Sequence, residues 1–203
     1  LDELIIIEGT DKKDRLRGSN SMNDTIYAYG GNDKLYGYDG EDKLYGGEGK
    51  DSLYGDKGVD SLYGGTGDDY LKGGYGSDTY YFEQGDGEDT IKDKSKSRSY
   101  DTDSIVFGES VSAEDISFIF DKKDLLIQYG DGDEIEIKYQ TKDKYAIERV
   151  ELADGNYLSS GDIDNIVQQI HAYADDNGLD IDSNQDIRAN AALTQIIQSA
   201  WHQ

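Results

Sequence analysis

A nine-residue repeat runs through the first half of the chain and limits what the sequence can fold into. Seven consecutive segments between residues 19 and 81 place an aspartate at position six and an apolar residue or tyrosine at position eight, with glycine frequent at positions one, two and four. Two neighbours read GGEGKDSLY (46–54) and GDKGVDSLY (55–63). Degenerate copies with Asp14 and Asp89 flank the series. A fixed period of this kind is typical of repeat architectures in which successive units stack.

Each repeat predicts a sharp turn followed by a short strand. Glycine permits positive φ and close approach of neighbouring backbones, so we expect the first six positions to form a turn with inward-pointing carbonyl groups. The apolar position eight, between mostly polar or tyrosine neighbours, predicts a three-residue strand with one buried side chain. Two repeats then make one coil of a flattened roll, with strands of successive coils about 4.8 Å apart. Alternate repeats share a face, which predicts two inner rows: Ile26, Leu44, Leu62 and Tyr80, and Leu35, Leu53 and Leu71.

The aspartates at position six predict cation sites. Stacking places Asp42 over Asp60, one coil apart. Two carboxylates about 5 Å apart repel by about 1 kcal/mol even at the dielectric constant of water, and by more when partly buried. Carboxylates and turn carbonyls together form an all-oxygen site, which suits Ca2+ better than Mg2+ because Mg2+ demands tighter octahedral geometry. The other interpretation, an aspartate that caps its own turn in solvent, fits a single repeat better than seven in register.

These repeats resemble the nonapeptides of the RTX family, a group of secreted bacterial proteins. The resemblance covers about residues 9–92, and GGYGSDTYYFEQGDGEDTI (73–91) is similar to the end of many such arrays. It implies a calcium-loaded parallel β-roll. In the family, carbonyls at positions one, three and five of one repeat join carbonyls at positions two and four and the aspartate of the repeat two further on. One site here would use Gly46, Glu48 and Lys50 with Gly65, Gly67 and Asp69.

The resemblance therefore implies about five Ca2+ ions in the regular series and at most about seven with the flanking copies. The expected aspartate ligands are Asp24, Asp33, Asp42, Asp51, Asp60, Asp69, Asp78 and Asp89. The expected turn ligands are Gly37, Asp39, Gly40, Glu41, Gly46, Gly47, Glu48, Gly49, Lys50, Gly55, Lys57, Gly58, Val59, Gly64, Gly65, Thr66, Gly67, Asp68, Gly74 and Gly76. Met22, Ala28 and Asp56 replace glycine, so we expect the first coils to bind less regularly.

Tyrosine at position nine predicts a stacked row on each face of the roll. The residues are Tyr27, Tyr36, Tyr45, Tyr54, Tyr63 and Tyr81. Such rows shield strand backbone and add cross-strand packing. The alternative is a strip that binds a sugar or a protein partner.

Composition excludes several classes of protein. The formal charge of −24 at pH 7 argues against nucleic acid and anionic membrane as partners, because phosphate binding needs a basic surface. The chain has no cysteine, and no apolar run approaches the roughly 18 residues of a membrane helix. It shows no catalytic motif, and we expect no leader peptide at its start. We expect a non-enzymatic region, with any catalytic part upstream of Leu1.

Beyond residue 92 the pattern changes to ordinary strands. A loop is predicted at 93–103, and strands at 104–107, 116–120, 124–129, 133–139 and 146–152, with a hairpin at YGDGDE (129–134). These strands are expected to extend the roll and cover its open end, and residues 103–158 resemble the domain that often follows RTX repeats. The chain then divides into a β-roll (1–92), an antiparallel β capping domain (93–160) and an α-helical tail (161–203).

The tail predicts two helices, at 161–175 with a stop at Gly178 and at about 185–201. The loop DIDSNQDIRANA (180–191) begins like a calcium-binding hand but lacks its glycine and final glutamate, so we interpret it as a helix-capping loop. His171 is expected on the helix surface. In RTX proteins this position carries an uncleaved type I secretion signal, and the tail resembles those of the iron-regulated members. A helical hairpin docked on the roll is the alternative, and the two are compatible.

The resulting expectation is a module that folds when it binds calcium outside a bacterial cell. The resemblance implies a secreted or cell-surface location, export by a type I ABC exporter, and support for the folding of a larger toxin, adhesin or hydrolase; we expect a monomer. The alternative is an adhesin segment that binds ligand through its tyrosine rows.

Overall fold

Two parallel β-sheets face each other and enclose the apolar residues of the repeats. The computed structural model describes residues 5–93, 101–121, 124–140, 147–179 and 190–203. The repeats form β1 (Ile5–Thr10), β2 (Arg15–Arg17), β3 (Asp24–Tyr29), β4 (Lys34–Asp39), β5 (Lys43–Glu48), β6 (Ser52–Lys57), β7 (Ser61–Thr66), β8 (Tyr70–Tyr75), β9 (Thr79–Phe82) and β10 (Glu88–Ile91). Odd-numbered strands of this set build one sheet and even-numbered strands the other, so neighbours in a sheet are two repeats apart.

Both predicted inner rows are confirmed. Ile26, Leu44, Leu62 and Tyr80 pair in register through one sheet. Leu35, Leu53 and Leu71 do the same in the other sheet, and every member of both rows is fully buried. Burial of each such side chain contributes about 1.5–3 kcal/mol, so the rows form the core of the roll.

The strands are longer than the repeat predicted, and the predicted division into six turn residues and three strand residues is wrong. Strand β5 covers six residues, from position seven of one repeat to position three of the next. The backbone bends inside the strand at position two, where φ is positive even in Tyr38 (78°) and Asp56 (77°). These two residues still pair across β4 and β6, so the ladder continues through the bend.

Backbone stacks closely on backbone where the strands bend. Gly65 has a φ of 92°, and a Cβ at this residue would overlap the carbonyl oxygen of Gly47 one coil earlier. Glycine is therefore required here for close approach as well as for its φ angle.

Gly65→Ala should destabilise the roll far more than Gly132→Ala. Both residues have left-handed φ angles, 92° and 96°, so the two variants share a backbone strain of about 1–2 kcal/mol. In the part of the chain that the structure describes, no atom lies within 4 Å of a Cβ at Gly132, whereas a Cβ at Gly65 meets a carbonyl. Chemical denaturation followed by circular dichroism should show a free energy of unfolding that falls by several kcal/mol more in Gly65→Ala. Equal losses in the two variants would contradict the stacking argument.

The capping strands continue both sheets of the roll. Strand β11 (Ser104–Phe107) pairs in parallel with β9 and with β15 (Arg149–Glu151), and β14 (Asp133–Ile137) pairs in parallel with β10. Strands β12 (Ser117–Asp121) and β13 (Asp124–Tyr129) add to β14 in antiparallel order, and β16 (Tyr157–Ser159) adds to β15. The buried residues of cap and roll belong to one continuous core.

Most predicted capping strands are present, with shifted ends. The strands at 104–107 and 124–129 and the hairpin at 129–134 are confirmed. The other three are observed at 117–121, 133–137 and 149–151, and the strand at 157–159 was not predicted. Most of the predicted loop (94–100) and residues 141–146 lie outside the described residues.

Two helices complete the described chain. Helix α1 (Ser160–Asn177) begins at a capping box formed by Ser159 and Asp162 and ends at Gly178, whose φ of 65° matches the predicted stop. Its buried face consists of Ile163, Ile166, Val167, Ile170 and Ala174. Helix α2 spans Ala191–Gln198 and buries Leu193 and Ile197. His171 lies part-exposed on α1.

The start of α2 differs from the prediction. Asn190 caps it by accepting from the N–H groups of Ala192 and Leu193. Residues 180–189, which include the aspartates of the hand-like loop, lie outside the described residues. In the parts of the chain that the structure describes, no helix is long and apolar enough to cross a membrane.

Candidate metal sites

A ladder of buried aspartates runs along each side of the roll. In each ladder the backbone N–H of one aspartate donates to Oδ1 of the aspartate one coil later. On one side the links are Asp24–Asp42 (2.7 Å), Asp42–Asp60 (2.8 Å) and Asp60–Asp78 (2.9 Å). On the other they are Asp33–Asp51 (2.7 Å), Asp51–Asp69 (2.7 Å) and Asp69–Asp89 (2.9 Å). All eight aspartates predicted as ligands lie in these ladders, each at most 3% exposed.

Among the described residues, each ladder aspartate keeps one carboxylate oxygen without a hydrogen-bond partner. This oxygen is Oδ1 in Asp24 and Oδ2 in Asp33, Asp42, Asp51, Asp60, Asp69, Asp78 and Asp89. A buried charged oxygen without a partner is strongly destabilising, so each one calls for a proton or a cation. The repeated arrangement also removes the alternative of a solvated turn aspartate, because these carboxylates are not solvated.

Glycine at position one makes the space for the free oxygen. A Cβ on Gly46 would overlap both Oδ2 of Asp51 and the carbonyl oxygen of Gly64 in the next coil. None of the five glycines at position one has positive φ, so close packing and not a left-handed conformation explains glycine there. Their role is instead to bring a carboxylate and a carbonyl oxygen together. This is the hard, all-oxygen donor set that Ca2+ prefers, and the residues fit the ion.

The side chains at positions three and five point away from these oxygens. Those of Glu41, Glu48, Lys50, Lys57, Val59, Thr66 and Asp68 are exposed and that of Asp39 is half-exposed. Lys57 pairs with Asp39 at 2.9 Å, and Lys50 pairs with Asp68. Only the backbone carbonyls of these positions are therefore available as ligands, in keeping with the carbonyl role that the resemblance implies. The full ligand set of each ion stays a prediction.

Burial raises the pKa of the ladder carboxyls, and the effect grows toward the cap. The pKa rises to about 6 in Asp42 and Asp51 and to about 7 in Asp60 and Asp69. In Asp78 the pKa rises to about 9 through desolvation first and then the nearby charge of Asp93. N–H donors from the preceding coil oppose this rise only in part. Ionised carboxylates in these positions need a compensating cation.

The ladder extends beyond the residues that the repeat predicted. The N–H of Asp78 donates to Oδ1 of Asp103 at 2.9 Å, and the N–H of Asp103 donates to Oε2 of Glu148 at 2.8 Å. The sequence DSIV (103–106) thus occupies positions six to nine of a further coil, and its likeness to DSLY was the available signal. On the other side, Asp133 accepts from the N–H groups of Gly85 (2.9 Å) and Gly87 (3.1 Å).

Comparison with known families agrees with this geometry. Residues 19–53 and 54–91 match the RTX calcium-binding nonapeptide repeat, and residues 124–162 match the haemolysin-type calcium-binding protein related domain. The chain belongs to the RTX family. The expected resemblance of the repeats is thereby confirmed, and calcium is the ion that these RTX repeats bind.

Similarity to individual proteins is low. No curated protein matches the chain. Among solved structures, the extracellular lipase LipA from Serratia marcescens is similar at 16% sequence identity and a TM-score of 0.32, over 73% of this chain and 40% of the lipase. The RTX chain therefore spans less than half the length of that lipase.

Without calcium, the RTX roll should be more stable in acid than near neutral pH. A carboxyl whose folded pKa lies above its unfolded value of about 4 binds its proton more tightly in the folded state. This stabilisation is complete below about pH 4 and is lost as pH rises through the folded pKa values, about 6 in Asp42 to about 9 in Asp89. Calcium replaces these protons, so its apparent affinity should increase over the same range. Thermal unfolding in chelator at several pH values tests the sign; stability that increases from about pH 4 to about pH 9 would contradict it.

Proposed function

We propose that this chain is a calcium-triggered folding module, unfolded at cytosolic calcium and folded outside the cell. The observation that carries the proposal is the aspartate ladder, in which buried carboxylates keep an oxygen without a partner in every coil. The excess of 44 acidic over 20 basic residues adds to the repulsion in the absence of a cation. Calcium binding to the folded chain alone would shift the equilibrium toward the roll.

Calcium affinities typical of extracellular modules make the free energy of binding large enough to decide whether the chain folds. At a dissociation constant of about 10⁻⁴ M and calcium of about 10⁻³ M, each site stabilises the folded chain by about 1.4 kcal/mol. About five to seven sites then contribute about 7–10 kcal/mol, which is comparable to the whole stability of a domain. Submicromolar calcium contributes almost nothing at this affinity.

We further propose that the switch serves type I secretion of a larger bacterial protein. An unfolded, acidic chain is suited to passage through an ABC exporter, and folding outside would prevent its return. The tail from residue 161 would be the uncleaved signal. In the folded chain its end is attached to the cap, because His202 pairs with Tyr157 through two backbone hydrogen bonds of 2.9 Å and contacts Asp162 at 3.1 Å. We propose that the module is monomeric and non-catalytic; kinship with the iron-regulated RTX proteins stays a prediction.

Calcium titration of the wild-type chain and two matched variants tests the folding switch. In excess chelator at neutral pH we expect no β-sheet signal by circular dichroism, and a cooperative gain of signal as calcium is added. Asp51→Asn keeps Oδ1 as acceptor for the N–H of Asp33 but removes the charge, so it should lower calcium stoichiometry and cooperativity. Asp131→Asn, on an exposed turn, removes the same charge and should change neither. A folded roll in excess chelator at neutral pH would refute the switch.

The tyrosine rows favour a structural role over ligand binding. The rings of Tyr27, Tyr45, Tyr63 and Tyr81 stack face to face, with centroids 4.3–4.7 Å apart and interplanar angles of 5–14°. On the other face Tyr36 and Tyr54 stack at 5.0 Å. Sugar-binding aromatic side chains offer a ring face to the ligand, and here the rings inside the row cover one another's faces. We therefore prefer shielding of the strands to the adhesin alternative.

Tyr45→Ser should destabilise the calcium-loaded roll by about 1–3 kcal/mol, because it removes two stacked pairs worth about 0.5–1.5 kcal/mol each. Tyr75→Ser, at a side chain that is 40% exposed, is the matched control and should cost less. Thermal unfolding in saturating calcium measures both. Unchanged stability of Tyr45→Ser together with lost binding to glycan-coated surfaces would instead support the adhesin alternative.

A further inference from the structure

Three buried carboxylates meet where the roll passes into the cap. Asp78 is the last aspartate of the regular repeats, Asp93 follows β10 in the opposite sheet, and Asp103 directly precedes β11 of the cap. They are 0%, 1% and 4% exposed. One ligand oxygen from each lies within 4.8 Å of the other two. Asp78 and Asp103 belong to the aspartate ladder but Asp93 does not, so the nonapeptide pattern does not account for the whole group.

Hydrogen bonds hold the three side chains in place. Oδ1 of Asp78 accepts from the N–H of Asp60, and Oδ1 of Asp103 accepts from the N–H of Asp78, both at 2.9 Å. Asp93 accepts from the N–H of Gly74 at 3.1 Å and from the hydroxyl group of Tyr80.

Tyr80 itself departs from the repeat in a way that serves this group. It occupies position eight, where the other six regular repeats carry isoleucine or leucine. The side chain is fully buried in the aliphatic row, and its hydroxyl group accepts from the N–H of Gly73 at 2.7 Å while it donates to Asp93. A phenol at this core position is explained by the need to orient Asp93.

One oxygen of the group has no partner. Oδ2 of Asp78 is fully buried and makes no hydrogen bond to any residue that the structure describes. It fills the space beside Gly73, where a Cβ would overlap it, and Gly73 is also the residue whose N–H reaches the Tyr80 hydroxyl group. The free oxygen therefore lies next to the side chain that binds Asp93. Three carboxylates at this spacing repel each other strongly in a buried environment, and a shared cation removes the repulsion.

We propose that Asp78, Asp93 and Asp103 bind a Ca2+ ion that joins the roll to the cap. Calcium–oxygen distances of about 2.3–2.6 Å place ligands on opposite sides of one ion about 5 Å apart, which accommodates the observed spacing. The ion connects the end of the repeats in one sheet, the segment after β10 of the other sheet, and the first strand of the cap. This site rests on the calcium-dependent folding proposed above and adds an ion that the repeats do not predict.

Calcium counting in Asp93→Asn tests the proposal in the full chain. Asparagine keeps one acceptor oxygen, which in the place of Oδ2 can accept from the Tyr80 hydroxyl group and from the N–H of Gly74 at 3.4 Å, but it removes the charge. The variant should therefore bind one ion fewer in equilibrium dialysis. Amide exchange in β11 and β15 should become about tenfold faster, because one site stabilises the folded chain by about that factor when calcium is at ten times its dissociation constant. Strands β4 and β5 should keep their protection. Asp164→Asn, exposed on α1, removes the same charge and should change neither quantity.

The possible results separate this site from the proposed function. Unchanged calcium number and exchange in Asp93→Asn overturn the roll–cap ion while the repeat sites stand. A wild-type chain that binds no calcium overturns the proposed function as well. A crystal of the wild-type protein grown in calcium gives a check that does not depend on how a variant folds. Anomalous density between the three carboxylates supports the site, and a lysine or arginine side chain in that place overturns it.

Discussion

The structure depends on the burial of aspartate carboxylates that have one oxygen bonded and one oxygen free. The bonded oxygen fixes the position of one coil relative to the next. For example, Oδ1 of Asp69 accepts from the N–H of Asp51 at 2.7 Å. The free oxygen makes the same stack unfavourable at neutral pH unless a cation binds. The same side chain thus fixes the register of the roll and makes its stability depend on calcium. Glycine at positions one, two and four follows from this arrangement, because backbone, carbonyl and carboxylate compete for the same space.

Much of the roll is predictable because each repeat contains the residues that determine its own local structure. The apolar position eight gives the rows of Leu44 and Leu53, and the aspartate at position six gives the ladder, once alternate repeats are placed on one face. The strand length was not predictable in the same way. The six-residue strands β4 to β8 have a positive φ at their fifth residue, and a side chain as large as that of Tyr38 occupies that position in β4, which a pattern based on glycine does not reveal.

The junction with the cap was missed because the period is broken there. Asp103 continues the ladder 25 residues after Asp78, whereas the regular links span 18 residues. Nothing in the spacing marks Asp93, whose role depends on the Tyr80 hydroxyl group crossing from the opposite sheet. Residues that meet only through tertiary contacts carry no local signal, whereas α1 was predictable from its apolar face and its terminal Gly178.

Amide hydrogen exchange across β3 to β8 at neutral pH tests the central claim most directly. Each of these strands begins at or directly after a ladder aspartate and carries one residue of an inner row, so their protection reports whether the roll exists. With calcium, we expect protection close to that of global unfolding throughout the six strands. With calcium removed by chelator, we expect the loss of that protection in all six together. Strands that stay protected without calcium would show that the buried aspartates do not make the fold depend on the ion.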